Sequence, residues 1–217
     1  MEITEQKIQF TTRPPAFTWQ KCPNRYQGNG PRASTSCDSI MPGLTLQVLN
    51  TAEERMVVSE LRRYSPTGVE DDLGLQLGPW EAARDDIAVV TSITRGNAVA
   101  GTLRFVPSGH GLTGGERLVR LTGAALPLDE PGSWEVGRLV LAPNERSPQM
   151  LTAYLAMALR ELKRRREVNQ FYAIASPAMA RLWRRFGLKV VMNMRGASGN
   201  PFVLVLGNAA DVALTLH

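Results

Sequence analysis

Cysteine, histidine and long apolar runs are all scarce in this chain. Its two cysteines and two histidines, Cys22, Cys37, His110 and His217, are scattered over 217 residues and form no Cys/His cluster of the kind that binds zinc. It also lacks a run of about 18 apolar residues, the length that a membrane-spanning helix needs. The first residues do not form a charged-then-apolar leader, which predicts a cytoplasmic protein. In that reducing compartment we expect Cys22 and Cys37 to be free thiols.

Composition divides the chain into two parts. Hydrophobic residues make up 43% of it, enough to bury one sizeable core. Residues 1–43 show no sustained periodicity and are rich in proline, glycine and serine, as in Gly28-Asn29-Gly30-Pro31. We therefore predict an irregular N-terminal extension over 1–43, followed by a single domain over 44–217.

Residues 44–217 alternate between strand and helix patterns. Alternating or continuous apolar residues predict strands near 44–49, 87–93, 98–106, 134–141, 170–175, 190–194 and 202–206. Amphipathic patterns predict helices near 51–64, 116–121, 148–162 and 177–186, with loops over 65–84 and most of 107–132. Because two of the strands form a hairpin, a purely parallel sheet is excluded. We predict an α/β fold with a mixed sheet and helices on both faces.

The predicted strand from Trp134 to Leu141 contains two charged residues, Glu135 and Arg138, in an otherwise apolar segment. Burying either charge without a partner costs several kcal/mol. Strict alternation places the two side chains on opposite faces of the sheet. A β-bulge at Gly137 would bring them to one face. Glu135 is thus a candidate general base, and the alternative is a structural partner of an arginine.

Positive charge is concentrated between Arg160 and Lys189. This segment has nine basic residues and two acidic ones. Such a cluster attracts an anionic partner, with nucleic acid or an acidic carrier protein as candidates. The alternative is a solvated helix face that keeps the protein soluble.

Two further patterns, a glycine-rich motif and the positions of the histidines, do not indicate a catalytic or cofactor site. Gly109-His110-Gly111-Leu112-Thr113-Gly114 matches G-x-G-x-x-G, but the strand before it belongs to a hairpin rather than to a βαβ unit. We therefore favour a loop over a dinucleotide site. His110 and His217 do not support a Ser-His-acid triad.

Three local motifs resemble the GNAT acyltransferase superfamily. Trp134-Glu135-x-Gly137-Arg138 is similar to the W-E-x-S-R strand of acyl-homoserine-lactone synthases and long-chain N-acyl amino acid synthases. Gly101-Thr102-Leu103-Arg104 resembles their G-x-x-R strand, and 175–187 resembles their second strand-helix join. The resemblance covers about 44–206 and implies a mixed, mostly antiparallel sheet and an N-acyltransferase.

The chain departs from the family motifs at the segments that bind the acyl donor and the acyl acceptor. GNAT enzymes hold the pyrophosphate of coenzyme A on R/Q-x-x-G-x-G/A, but 146–151 has no glycine, and Pro148 lacks an N–H. This favours acyl-phosphopantetheine on acyl carrier protein over acyl-CoA, with no bound cofactor. The S-adenosylmethionine signature of lactone synthases is matched only loosely, by Arg62, Arg63, Trp80 and Asp86.

The chemistry of N-acylation suggests a role for each candidate residue. Glu135 is the candidate general base or else a structural partner of an arginine, and Arg104 and Arg138 either pair with it or bind an acceptor carboxylate. Asp86 and Trp134 are further candidates for substrate binding, and Tyr154 lies near the leaving thiol or in the core. Four apolar residues are predicted to line an acyl pocket, and five arginines to dock the carrier: Leu139, Leu141, Ile174 and Met179; Arg164, Arg165, Arg181, Arg184 and Arg185.

Four functions follow from these interpretations. The first is acyl transfer from acyl carrier protein to the amine of an amino acid or a related small molecule. The alternatives are an acyl-homoserine-lactone synthase, an acyl-CoA-dependent N-acetyltransferase and a non-catalytic GNAT-like binding module. A pair of buried charges in a strand argues against the last of these, so nucleic acid is not the expected partner.

Overall fold

A computed structural model describes residues 43–63, 77–196 and 198–216, together with the backbone of 6–7 and 35–36. Most of the predicted N-terminal extension, including Cys22 and Cys37, lies outside the described residues. No helix in the described part of the chain is long and apolar enough to cross a membrane.

The described residues form nine strands and seven α-helices. The strands are β1 Gln6–Lys7, β2 Thr35–Ser36, β3 Leu44–Leu49, β4 Val89–Arg95, β5 Ala98–Pro107, β6 Ser133–Leu141, β7 Gln170–Ala175, β8 Lys189–Arg195 and β9 Pro201–Asn208. The helices are α1 Ala52–Arg55, α2 Ser59–Arg62, α3 Leu77–Ile87, α4 Gly114–Thr122, α5 Pro148–Arg165, α6 Pro177–Arg185 and α7 Ala209–Thr215, with short 3₁₀ turns at Met56–Val58 and Pro143–Glu145.

All the strands belong to one sheet, in the order β1-β8-β9-β7-β6-β5-β4-β3-β2. Neighbouring strands are antiparallel except for two parallel pairs, β1 with β8 and β6 with β7. The larger apolar core joins the sheet to α5, α6 and α7. A smaller core packs Leu118 of α4 and Trp80 of α3 against the other face. This confirms the predicted mixed, mostly antiparallel sheet with helices on both faces.

Helix starts follow the sequence signals closely. Ser147 Oγ accepts the N–H of Met150 at the start of α5, and Pro148 occupies the first helical position. Ser176 and Pro177 open α6 in the same way. The apolar stripe of α5 is buried on the sheet, and its Tyr154 is fully enclosed.

Three predicted elements are wrong in detail. Of the loop predicted over 65–84, residues 65–76 lie outside the described residues, and the remainder belongs to helix α3, which also replaces the start of the strand predicted at 87. The helix predicted over 51–64 is interrupted by the 3₁₀ turn at Met56–Val58, and helix α7 was not predicted. Helix α3 is hard to recognise because its sheet-facing side carries charged residues instead of an apolar stripe.

The sheet opens between its two central strands. β6 and β7 pair only over Ser133–Glu135 and Gln170–Tyr172, although β6 continues to Leu141 and β7 to Ala175. Beyond Glu135 the facing edges of the two strands are therefore not paired with each other. Because α5 follows β6 and α6 follows β7, both helices begin at this open end.

Candidate active site

A β-bulge lies in β6 at the opening. On β5, Thr102 and Arg104 are two residues apart, whereas their partners on β6, Val140 and Gly137, are three apart. β6 therefore has one extra residue between Gly137 and Val140. Arg138 lies in this bulge and has a φ of 54°, an uncommon conformation for a residue other than glycine. The bulge confirms the prediction made at Gly137. It places Arg138 on the same face as Glu135, since both side chains contact α3.

Glu135 is held by two donors on that face. One carboxylate oxygen pairs with the Arg84 guanidinium of α3, and the other accepts the Gly115 N–H of α4 at 2.9 Å. The Glu135 side chain is only 6% exposed. The structure thus gives Glu135 an arginine partner, which was the alternative interpretation of the sequence. The partner is Arg84, not Arg104 or Arg138 as expected.

Arg104 is enclosed and bound to two carboxylates of α3. It is 0% exposed. Its Nη1 donates to Glu81 Oε2 and Asp85 Oδ1, each at 2.9 Å, and its Nη2 donates to Glu81 Oε1 at 3.1 Å. Arg138 Nε also donates to Glu81 Oε2, at 3.0 Å. A bidentate, buried pair of this kind leaves Arg104 no outward surface for direct contact with an acceptor.

Seven charged residues form one ion cluster on this face: Arg62, Glu81, Arg84, Asp85, Arg104, Glu135 and Arg138. Arg84 also lies 4.2 Å from the centre of the Trp80 ring. Among the described residues the cluster has four guanidinium groups and three carboxylates. Within the described ranges, Arg62 Nε, Arg62 Nη2 and Arg104 Nε are buried and have no hydrogen-bond acceptor. An excess of positive donors favours a carboxylate ligand.

Glu81 makes the stability of the fold depend on pH. Burial alone would raise its pKa, but Arg104, with Arg138 and Arg84, lowers the pKa of Glu81 to about 2. A carboxyl group with a lowered pKa stabilises the folded state above its unfolded pKa, and this contribution disappears as the pH falls through the folded value.

We therefore expect the free energy of unfolding to fall between about pH 5 and pH 2 by a contribution on the order of 3 kcal/mol from Glu81. Urea unfolding of the wild type and Glu81→Gln at a series of pH values measures this. The variant should show a shallower decline. Equal slopes for the two proteins would contradict the assignment.

The other predicted binding residues lie elsewhere. Asp86 is exposed and pairs with Arg55 of α1 at 2.8 Å. Trp134 points to the opposite face of β6, where its Nε1 donates to the Glu167 carbonyl oxygen at 2.9 Å. Tyr154 is buried, and its hydroxyl donates to the Thr91 carbonyl oxygen at 3.0 Å. Trp134 thus lies on the other side of the sheet from the ion cluster, and Tyr154 is a core residue, although its hydroxyl is near enough to Arg62 to interact with it electrostatically.

The predicted acyl-pocket residues flank the opening without forming one surface. All four are half-buried. Leu139, Leu141 and Met179 pack on the core beside α5 and α6, whereas Ile174 packs on the opposite core. An apolar hollow lies on the α5 side, between α5, α6 and α7, and its lining includes Val136, the first residue of β6 past the last paired position, with Leu155 and Trp183.

The first turn of α5 offers few donors to an anion. Pro148 has no N–H, and the N–H of Met150 is already bound to Ser147 Oγ at 3.1 Å. The N–H of Leu151 donates to the Ser147 carbonyl oxygen. A pyrophosphate group relies on several free backbone N–H groups at a helix N-terminus, so this turn fits it poorly.

The G-x-G-x-x-G segment is closed by a carboxylate of its own chain. Glu116 of α4 accepts the N–H groups of Gly109, Gly111 and Thr113 at 2.7–3.1 Å. These are the groups that a dinucleotide phosphate would need, and the negative charge of Glu116 repels a phosphate. The segment is thus a structured loop, in agreement with the preferred interpretation.

Two of the five predicted docking arginines lie far from the opening, and two more lie about 13 Å from the start of α6, at the end of that nine-residue helix. Arg164 and Arg165 are at the last turn of α5, and both pair with Glu161. α5 has 18 residues, so its two ends are about 27 Å apart. Arg184 and Arg185 end α6, which also begins at the opening. Arg181, in the middle of α6, lies closer to it.

Sequence reasoning missed the residues that organise the cluster, Glu81, Arg84 and Asp85. Their spacing of three and four residues does place them on one face of a helix. That signal was available, but it falls in a segment predicted to be a loop. Gly115 was also missed. A Cβ at that position would lie 2.5 Å from Tyr172 Cε2, so only glycine allows the close approach that brings its N–H to Glu135.

Comparisons with known proteins identify the fold. No family model matches the chain, and no curated protein sequence matches it either. Among solved structures, FeeM, an N-acyl amino acid synthase from uncultured soil microbes, is 13% identical, with a TM-score of 0.57 over 78% of this chain and 92% of that one. The AHL synthase LasI is 16% identical, with a TM-score of 0.53 over 80% and 94%.

A third similar structure is a putative acetyltransferase of the GNAT family from Desulfovibrio desulfuricans. It is 12% identical, with a TM-score of 0.53 over 76% of this chain and 99% of that one. Identities of this size establish the fold alone. The chain has the GNAT fold.

Proposed function

We propose that this protein is an N-acyltransferase that moves an acyl group from the phosphopantetheine thioester of acyl carrier protein to the amine of an amino acid or a related small molecule. The observation that carries the proposal is the opening of the sheet directly past Glu135, between β6 and β7. An ion cluster rich in guanidinium groups adjoins it. Two of the similar folds, an N-acyl amino acid synthase and an AHL synthase, are consistent with this activity.

The phosphopantetheine arm of the donor suits the opening because an extended chain with amide groups can lie along an unpaired strand edge. Phosphopantetheine contains two amide groups, and the edge of β6 past Glu135 is not paired with β7. An extended amide chain can pair with such an edge as an added strand does. The bulge at Arg138 interrupts the regular ladder beside it. A backbone N–H released there is the candidate donor to the oxyanion of the tetrahedral intermediate.

The acyl tail would continue from the opening toward α5. Val136 and Leu155 line the apolar hollow there, and Leu139, Leu141 and Met179 border the same core. Ile174 borders the other core and would contact the donor only from the opposite side of β7. This assignment predicts donors with acyl chains longer than acetyl, because the residues that border the opening on this side are apolar.

The acceptor is proposed to carry a carboxylate. Arg138 lies at the bulge, and two of its nitrogens contact the same carboxylate oxygen of Glu81. Two buried nitrogens of Arg62 have no hydrogen-bond acceptor among the described residues. An amino acid carboxylate would satisfy this excess of donors. Arg104 then positions Glu81 and Asp85 rather than touching the acceptor.

Glu135 remains the proposed general base, and this role requires one of its oxygens to become available to the amine. Both of its oxygens are occupied, by Arg84 and by Gly115 N–H. To accept a proton from the amine, directly or through a water molecule, one oxygen must exchange the Gly115 donor for the new one. Hydrogen bonds at catalytic groups often rearrange when substrate binds.

The carrier would dock at the open end of the sheet. Arg146 is exposed just before α5, and Arg181 is exposed on α6, so both are nearer the opening than the arginines at the far ends of these helices. The poor fit of pyrophosphate to the first turn of α5 supports a donor with a single phosphate.

The experiment is an assay of the purified protein with acyl carrier protein thioesters or acyl-CoA of matched chain length and a panel of amino acids and S-adenosylmethionine. We expect an N-acyl amino acid, detected by mass spectrometry, with acyl-CoA at least tenfold less effective. Product from acyl-CoA alone would favour the acetyltransferase alternative. An N-acyl product formed only with S-adenosylmethionine would favour a lactone synthase.

Two variants locate the carrier in the same assay. Arg146→Glu combined with Arg181→Glu should raise the KM for the carrier thioester and leave the KM for a free acyl-pantetheine unchanged. Arg164→Glu combined with Arg165→Glu is the matched control with the same change in charge. If none of the amines tested gives an amide product, the enzymatic proposal as a whole is contradicted.

A further inference from the structure

The positive charge of the chain resides in one segment. Residues 160–189 contain nine basic and two acidic residues, a net charge of +7, while the whole chain has +5. The rest of the chain therefore carries −2. Such a separation of charge produces a field directed at one surface.

Most of these cations share one face of the molecule. α5, α6 and α7 lie together on the same side of the sheet, because all three line the apolar hollow. The exposed cations of α5 and α6 are Arg160, Lys163, Arg164, Arg165, Arg181, Arg184 and Arg185. Glu161 does not offset them at the surface, since it is buried beneath Arg164 and Arg165. We call the six of these cations other than Arg181, together with the outer side of α7, which also carries the exposed acid Asp211, the basic face.

Helix dipoles account for only part of the basic face. Cations in the last turn of a helix are favoured by its dipole, and the effect fades within that turn. Lys163 to Arg165 and Arg184 to Arg185 occupy such turns. Arg160 precedes them and gains little from the dipole, so the dipole does not account for its exposure on the same face.

The apolar character of the basic face distinguishes between anionic partners. Leu214 of α7 is 75% exposed, and Lys163 Nζ donates to the carbonyl oxygen of Ala209, the first residue of that helix. An exposed leucine on a helix that contacts the cationic end of α5 suits the boundary between headgroups and acyl chains of a bilayer. Trp183 and Phe186, the aromatic residues of this region, are buried and cannot stack on nucleic-acid bases.

We propose that the basic face binds the surface of an anionic lipid bilayer. The cations contact the headgroups, and Leu214 enters the interfacial layer. The cations at the end of α5 lie about 27 Å from its N-terminus, and those at the end of α6 lie about 13 Å from the start of that helix. The opening between β6 and β7 therefore stays accessible to a soluble donor. This inference extends beyond the proposed activity, and its test does not require that activity.

The test is co-sedimentation of the full chain with vesicles of phosphatidylcholine alone or with about one third phosphatidylglycerol, an anionic lipid. We expect binding only to the anionic vesicles, with loss of binding at high salt. Equal binding to both kinds of vesicle, or binding to duplex DNA but to neither, would overturn the proposal. The second result would indicate a nucleic-acid surface instead.

Variants locate the surface. Arg164→Gln, Arg184→Gln and Arg185→Gln together should weaken vesicle binding at least tenfold, since each cation near an anionic surface contributes on the order of tenfold or somewhat less. Leu214→Ser should weaken it further. Arg63→Gln, Arg120→Gln and Arg195→Gln remove the same charge from exposed positions elsewhere and should bind as the wild type does. Equal losses in the two triple variants would contradict a located surface.

Discussion

Replacement of Arg104 by methionine is expected to lower the free energy of unfolding by about 3–5 kcal/mol. The guanidinium is fully enclosed and binds Glu81 through both terminal nitrogens and Asp85 through one. Methionine has a similar length but no charge. Removing the cation leaves two carboxylates of α3 close together, without the group that offsets their burial. Urea unfolding followed by circular dichroism at neutral pH measures the loss.

Two controls separate the buried ion pair from the loss of an arginine as such. Arg63→Met makes the same chemical change at an exposed position and should alter the free energy of unfolding by less than about 0.5 kcal/mol. Adding Glu81→Gln to Arg104→Met should recover part of the loss, because it removes a stranded charge. A loss below about 1 kcal/mol in Arg104→Met, or no recovery in the double variant, would show that Arg104 does not hold the cluster together.

The physical reason for this large effect also limits what the sequence could predict. The strand containing Glu135 and Arg138 was recognisable because two charges interrupt an apolar run. Gly137 indicated where a bulge would form, and the bulge is there. The starts of α5 and α6 were readable from Ser-Pro pairs, since these act within one turn of the helix.

The partners of those charges were not readable in the same way. Glu81, Arg84 and Asp85 come from a helix whose sheet-facing side is charged, so the apolar periodicity that identifies helices is missing. The pairing of Glu135 with Arg84 joins residues 51 positions apart, and such a pairing is decided by how α3 packs on β5 and β6. Local patterns contain no information about that packing.

The position of the basic residues shows the same limit. Sequence spacing correctly identified a cationic segment but assigned it to the carrier. Its distance from the opening depends on the direction in which α5 runs from β6, which only the three-dimensional arrangement gives. The cations at the helix C-termini, unlike Arg181, are therefore separated from the proposed donor site. A second role for them follows from this geometry rather than from charge alone.

Glu135→Gln is expected to reduce the rate of amide formation at least tenfold, since a positioned general base contributes about 10²–10⁴ in rate. Glutamine keeps an acceptor oxygen for Gly115 N–H or Arg84, so the fold should survive the change. It cannot take up a proton from the amine. The readouts are mass-spectrometric quantification of N-acyl products per folded molecule and the free energy of unfolding.

Glu161→Gln is the matched control for this experiment. Glu161 is also buried and paired with arginines, Arg164 and Arg165, but it lies on α5, on the other side of the sheet. Both variants remove one charge from a buried ion pair, so both should lose stability to a similar degree. If Glu135 accepts the proton, only Glu135→Gln loses activity per folded molecule. If the two variants retain equal activity, Glu135 serves only to hold Arg84 and α4, and the base must be sought among the other carboxylates of the ion cluster.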